Sequence, residues 1–289
     1  MRQIAEVALP RGLWHDGRLH RHARLRPLTG EDEAWLSDVA NALVPAEKVT
    51  ALLARCLVQL GPAGEVSPES VRPLIVGDRE ALLLRLRALT LGDHISCSLR
   101  CPHEPCGEQL HLDLTAADLL LAPYPDPESS HRCTVGEGDD LCEVRFRLPN
   151  GGDVEDVAGL ARHDAEAAAD ALLRRCVESV RRVSDGRIVP EWPPGLTAEL
   201  SGVIARLDPQ AELNFQMSCP ACGHHFAALF DTSGFFLREM EQRAQRFHRE
   251  VHLLAFHYHW GEGEIMGLSA QKRRLYLALL EEELSRGSV

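Results

Sequence analysis

The chain has 289 residues, of which 45% are apolar, 5% aromatic and 26% charged. That is apolar enough for one or two packed domains and excludes a disordered chain, while the shortage of aromatics leaves Leu, Ala and Val to fill the interior and favours helices over a β-sandwich. A formal net charge of -12 disfavours wholesale binding to nucleic acid or to an anionic membrane surface.

At the start, Glu6 interrupts the apolar run that a signal peptide would need. The most apolar stretch, Ala81–Leu89, carries Arg85 and Arg87 and is too short to span a bilayer. A cytoplasmic protein without membrane insertion is therefore expected.

In chain order, alternation predicts a strand from Leu19 to Arg26, and Thr29 with Asp32 forms a capping-box start. An amphipathic helix is expected around Val49–Leu60. Ser67-Pro68 reads as an N-cap followed by Pro at the first helical position, and a helix covers about Asp78–Leu91. Gly92-Asp93 turns the chain. Two short strands then flank a cysteine turn, and Thr115-Ala-Ala-Asp118 caps another helix. Pro123-Tyr-Pro-Asp-Pro127 reads as a joint.

Beyond the joint the same order recurs. A strand is expected from Cys142 to Arg147, Asn150-Gly151-Gly152 reads as a turn, and a helix covers Ala165–Val180. Ala81–Pro102 aligns without a gap on Glu199–Pro220: Leu82 meets Leu200, Leu86 meets Ile204, Ile95 meets Leu213, and Cys101-Pro102 meets Cys219-Pro220. After a two-residue gap, Cys106-Gly107 meets Cys222-Gly223. Upstream, Ala51–Leu57 corresponds to Ala171–Val177, and Arg24-Leu-Arg26 to Arg145-Phe-Arg147. Such ordered matches predict an internal duplication. The expected fold is α+β, mostly helical: a duplicated helical and β-hairpin unit with a shared zinc-ribbon-like centre and a C-terminal helical tail. The expected domains are 1–122, 123–238 and a docking segment over 239–289.

The strongest chemical signal lies in Cys101-Pro-His-Glu-Pro-Cys106-Gly107 and Cys219-Pro-Ala-Cys222-Gly223, each between alternating apolar strands. A hairpin turn aims two thiolates at one spot, and Gly after the second Cys permits the positive φ of a tight turn. Two such knuckles complete a tetrahedral set, so Cys101, Cys106, Cys219 and Cys222 are the expected ligands of one structural Zn2+ with no open position for substrate. The first knuckle has two extra residues, which leaves Cys97 or His103 as a substitute ligand. Of the nine cysteines, Cys56 and Cys176 read as core residues at equivalent helix positions. Cys97 reads as apolar-facing, and Cys133 and Cys142 as possible hairpin neighbours.

From about Arg238 the correspondence stops and a histidine-rich helical segment begins. His248 and His252 share a helical face, but the order HxExH lacks the zincin pattern, so a structural or partner-contacting role is expected. Val251, Leu254, Ala255 and Tyr258 supply an apolar docking face. GxSxG, GxxxxGK and a strand-borne GxGxxG are missing, and no enzyme activity is expected.

Several stretches resemble the baseplate hub protein family of T-even-type phages and of phage-derived contractile injection systems. They are Leu28-Thr-Gly-Glu-Asp-Glu33, Val76-Gly-Asp-Arg-Glu-Ala-Leu-Leu-Leu84 running into Leu91-Gly-Asp93 and the first knuckle, Glu250–Ala255 with Tyr258-His-Trp260, and Arg273-Arg274-Leu-Tyr276. The resemblance implies a non-enzymatic structural or assembly protein of the baseplate that binds hub, spike and other baseplate proteins, either in the cytoplasm where they assemble or as part of a phage tail-like particle. The alternative is a zinc-ribbon accessory protein of a nucleic-acid machine, against which the net charge and the lack of a basic, aromatic-studded knuckle strand weigh.

Overall fold

The structure, a computed structural model, describes residues 4–38, 42–62, 64–125, 128–138, 141–193 and 195–286. Strand β1 (Ala5–His15) turns through Asp16 and Gly17, both at positive φ, into β2 (Arg18–Leu25). This is the two-residue hairpin connection that Asp-Gly favours. The sequence reading missed β1 because Pro10 and Gly12 break its alternation, where the pairing register shifts between Ala8 and Leu13.

Thr29 donates from both its backbone N–H (2.9 Å) and its hydroxyl (3.0 Å) to Asp32, opening α1 (Gly30–Asp38). Helix α2 (Pro45–Cys56) runs directly into β3 (Leu57–Leu60), which completes a sheet of order β1-β2-β3. The expected helix to Leu60 thus stops one turn early. Arg26 N–H captures the Cys56 carbonyl (3.0 Å), and Leu57 turns extended to join the edge of β2. Ser67 N–H donates to Ser70 Oγ at the start of α3 (Pro68–Val71). Then come α4 (Val76–Leu91), the hairpin β4 (His94–Arg100) and β5 (Gln109–Thr115), and the short α5 (Ala116–Leu119), capped by Thr115 and Asp118 as expected. Of the proline joint, Asp126 and Pro127 lie outside the described residues.

The second half begins with β6 (His131–Val135) and β7 (Cys142–Phe146). Asn150-Gly151-Gly152 opens α6 (Gly151–Ala161) rather than forming a free turn. Asn150 Oδ1 accepts from Asp153 N–H (3.1 Å), while Asp153 accepts from Asn150 N–H (3.0 Å). Helix α7 (Ala165–Cys176) passes without a loop into β8 (Val177–Arg182), so the helix expected to reach Val180 also ends early, its Cys176 carbonyl accepting from Arg147 N–H at 3.0 Å. The sheet has order β6-β7-β8. Helix α8 (Leu196–Leu207) leads to the hairpin β9 (Leu213–Ser218) and β10 (His225–Phe230). The 27-residue α9 (Thr232–Tyr258), α10 (Glu262–Met266) and α11 (Ala270–Arg286) complete the chain. The fold is α+β, with 48% helix, 26% strand and small antiparallel sheets.

Arginine clamps on buried aspartates fix each sheet to its helices. Arg26 grips Asp32 with both terminal nitrogens (2.5 and 3.2 Å), Arg55 Nε reaches the same carboxylate at 3.1 Å, and Arg26 also donates to the Arg55 carbonyl. In the second sheet Arg147 grips Asp153 (2.5 and 2.8 Å), Arg175 Nε reaches it at 3.2 Å, and Arg147 donates to the Arg175 carbonyl. Burial opposes ionisation of both aspartates, yet these donors hold their carboxyls below the usual range.

Two hydrophobic cores result. Leu9, Leu25, Leu52, Leu53 and Leu82 form the first, and Phe236, Leu237 and Met240 of α9 insert into it. Val144, Phe146, Leu173, Val180 and Leu200 are in the second. A third cluster joins Leu84, Ile95 and Leu119 to Leu213, with Phe215 and Phe230 packed against it, and thereby locks the two cysteine hairpins together. Helix α9 starts beside β10 and continues unbroken through Arg238 into the first core.

Candidate metal centre

The hairpin β4–β5 pairs Ile95 with Leu114, Cys97 with Leu112 and Leu99 with Leu110. It closes through Cys101 N–H on the Glu108 carbonyl (2.8 Å), and its turn is fixed by Cys106 N–H on the His103 carbonyl (2.8 Å). The hairpin β9–β10 closes in the same way through Cys219 N–H on the His224 carbonyl (2.9 Å), and Gly223 N–H returns to the Cys219 carbonyl (2.8 Å). Gly107 and Gly223 take φ of 59° and 72°, the conformation that made glycine necessary after each second cysteine.

The hairpins bring Cys101, Cys106, Cys219 and Cys222 together, with all four sulfurs within 4.8 Å of one another. Cys101 Sγ lies 3.8 Å from Cys222 Sγ, and Cys106 Sγ lies 3.7 Å from Cys219 Sγ. A tetrahedral zinc with Zn–S bonds of about 2.3 Å sets its sulfurs roughly 3.8 Å apart. The donor set, its number and its spacing therefore fit a tetrathiolate ion. Cys101 and Cys219 are buried, Cys106 is half-buried and Cys222 is exposed, with Leu99, Leu110 and Phe226 packed around the group. Burial raises the Cys219 thiol, but N–H donors of Cys222 and Ala221 outweigh it and bring it down to about 7, so the turn itself favours a thiolate.

Neither Cys97 nor His103 belongs to the group. His103 instead stacks on His224 (ring centroids 5.2 Å apart) across the two turns. Cys56 and Cys176 are buried at the ends of α2 and α7, as expected; burial pushes the Cys176 thiol up to about 11 and Cys56 higher still. Cys133 faces Val144 and Cys142 faces Val135, so the two are diagonal neighbours on the β6–β7 hairpin, both free. His248 and His252 are exposed on α9, with His252 stacked on Phe256 and Glu250 turned toward Arg273. They join no metal-ligand cluster among the described residues.

Two buried polar networks escaped the sequence reading. Arg273, fully buried, donates to Glu33 Oε1 (2.6 Å), Glu250 Oε2 (3.1 Å) and the Leu268 carbonyl (2.9 Å), tying α11 to α1 and α9. Asp78 accepts from Arg11 and Gly12 N–H (2.8 and 2.9 Å), while nearby Asp208 accepts from Gly77 N–H (2.9 Å) and the Tyr124 hydroxyl (2.6 Å). This second network joins β1, α4, the joint and the end of α8. The GDRE and RRLY stretches marked those positions, but nothing in them separates a buried arginine from a solvated one.

The chain matches a family model described as T4 bacteriophage base plate protein over residues 17–237, a span that holds both cysteine hairpins and ends inside α9. No curated protein and no solved structure matches it. No helix among the described residues is long and apolar enough to cross a membrane.

Proposed function

Because the chain belongs to the T4 bacteriophage base plate protein family, we propose that it is a non-enzymatic structural or assembly protein of the baseplate of a contractile phage tail or contractile injection system, held together by one structural zinc. Family membership implies association with other baseplate proteins. Hub and spike proteins are the partners proposed, met in the cytoplasm where tails assemble. The match over most of the chain is the observation that carries this reading.

The zinc assignment is supported by four cysteine sulfurs at tetrahedral spacing with no fifth donor in the group among the described residues. Four protein ligands leave no position for substrate, so the ion's role is to clamp the β4–β5 hairpin to the β9–β10 hairpin. A duplicated unit is supported by the two clamps, Arg26–Asp32–Arg55 and Arg147–Asp153–Arg175, and by two helix-to-strand junctions at Cys56 and Cys176. In this reading domains 1–122 and 123–238 are the copies, and 239–289 is the segment added to them.

The test is an affinity pull-down of the tagged full chain from its native cytoplasm, with co-purifying proteins identified by mass spectrometry. Recovery of hub, spike or wedge proteins of a tail is the expected result. Recovery of polymerase subunits or nucleic acid without tail proteins would overturn the reading.

A further inference from the structure

The face of α9 that carries Glu239, Gln242, Arg243, Arg246 and Glu250 follows helical spacing and lines a cavity of about 430 Å³ with Arg87 of α4 and Arg274 of α11. Its charges are not balanced. Arg87 is fully engaged: it grips both oxygens of Glu239 (3.0 and 2.9 Å) and donates to the Gly92 and His94 carbonyls. Glu250 is held by Arg273 at 3.1 Å. Both oxygens of Glu239 are thus taken by Arg87, and one oxygen of Glu250 by Arg273.

Arg243, Arg246 and Arg274 are left over. None of the three has a carboxylate within ion-pair distance among the described residues, where Arg273, Arg87, Arg147 and Arg26 all do. Arg243 Nε is buried with no hydrogen-bond partner. Among the described residues Arg274 reaches the Ala270 and Thr90 carbonyls alone, both at 3.4 Å, which is long for a charged donor. Burial lowers the Arg274 guanidinium below its ordinary value and the like charge of Arg243 lowers it further, against the partial opposing pull of Glu250 and Glu33. Arg243 is half-buried while Arg246 and Arg274 are exposed, so three like charges face one open space and the buried donor among them, Arg243 Nε, has no partner. In a chain of net charge -12 such a spot inverts the local sign.

We propose that this cavity is a binding site for a multivalent oxyanion, with Arg243, Arg246 and Arg274 as its recognition residues. Guanidinium groups pair with carboxylate or phosphate through two parallel N–H donors, and Gln242 at the rim adds a neutral amide. The volume exceeds that of one small anion and admits adjacent carboxylates of an acidic peptide segment as readily as phosphate. This inference is independent of the baseplate reading.

The test is isothermal titration of the full-length, metal-loaded protein at constant ionic strength with two probes, sodium phosphate and an end-blocked hexaglutamate peptide, against a sodium chloride control. Saturable binding of at least one probe is expected, weakened at least tenfold in Arg243→Gln and Arg274→Gln. Arg246→Gln, on an exposed side chain, weakens it too and decides the matter if the other variants do not fold. Binding of the peptide alone identifies an acidic segment as the occupant, and binding of phosphate alone identifies free phosphate. Absence of saturable binding by either probe, or equal affinity in the wild type and Arg246→Gln, would overturn the proposal.

Discussion

Arg273 stands against α1 where Arg79 stands against α6. Ser269 bridges to Thr29 and Ile75 bridges to Asn150, and each arginine lies one helical turn after its bridging residue. Gly30 N–H donates to the Leu268 carbonyl (3.2 Å) as Gly151 N–H donates to the Leu74 carbonyl (3.0 Å). The start of α11 thus occupies, on the first sheet assembly, the seat that the start of α4 occupies on the second. The two arginines use that seat differently: Arg79 donates to Thr50 and Ala46, whereas Arg273 pairs with Glu33 and Glu250.

Arg273→Met should destabilise the protein by about 3–5 kcal/mol, because Glu33 is 2% exposed on its side chain and would be left buried without its partner. Adding Glu33→Gln should recover part of the loss. Arg286→Met, which removes a surface pair with Glu282, should change little. Chemical denaturation of the three variants checks this; equal stability of Arg273→Met and wild type would contradict it.

Gly151→Ala and Gly159→Ala should move stability in opposite directions, although both lie in α6. A methyl on Gly151 would fall inside the Arg79 guanidinium and displace it from Thr50 and Ala46, a cost of about 1–3 kcal/mol. Gly159 has open space around it, so alanine there should stabilise by about 0.5–1 kcal/mol. Thermal melts of the pair decide it.

Metal analysis of the purified chain should give close to one zinc per molecule. Cys219→Ser should lose the ion, with a fall in Tm of roughly 10 °C for a loss of roughly 3–4 kcal/mol. Cys97→Ser should keep the full metal content, since Cys97 lies on β4 opposite Leu112, outside the sulfur cluster. Full retention by Cys219→Ser would remove the four-cysteine assignment.

Stability should fall as pH rises from about 4 to 7. Burial, with Asp208 close by, pushes the Asp78 carboxyl up to about 7 against the opposing pull of the Arg11 and Gly12 N–H donors and the Arg11 charge. In that window the unfolded chain releases the proton while the folded chain retains it, so ionisation favours unfolding by up to about 1.4 kcal/mol per pH unit and levels off above 7. Asp32 and Asp153 act oppositely, their depressed values removing stability only below about pH 4. Burial and nearby Asp231 push the Glu80 carboxyl up to about 7 as well, with the same sign. Asp78→Asn should therefore reduce the slope between pH 4 and 7 in denaturant titrations by about half; an unchanged slope would assign it to Glu80 and other groups.

The cysteine turns were legible because ligand type, spacing, following glycine and flanking alternation all reported one local geometry. The Thr115–Asp118 cap and the body of α4 were legible for the same reason. Strands β3 and β8 were not, since each follows a helix without a loop and its apolar residues continue a helical period. Asn150 was misread because Gly151-Gly152 resembles a turn, while the cap bond from Asp153 and the seat for Arg79 make it a helix start. The buried arginines are tertiary facts: Arg273 and Arg286 look alike in sequence, and only long-range partners separate them.

The four sulfurs are contributed by distant parts of the chain: Cys106 and Cys219 are separated by 113 positions. During synthesis at about 5–20 residues per second, that gap lasts roughly 6–23 s. Over this interval the first two thiols have been synthesised and the second two do not yet exist. An ion caught early could have only half of these protein ligands. On the proposed zinc reading, loading is therefore a late, whole-chain event, and a ribosome that stalls before Cys219 releases a product that cannot close the four-sulfur group.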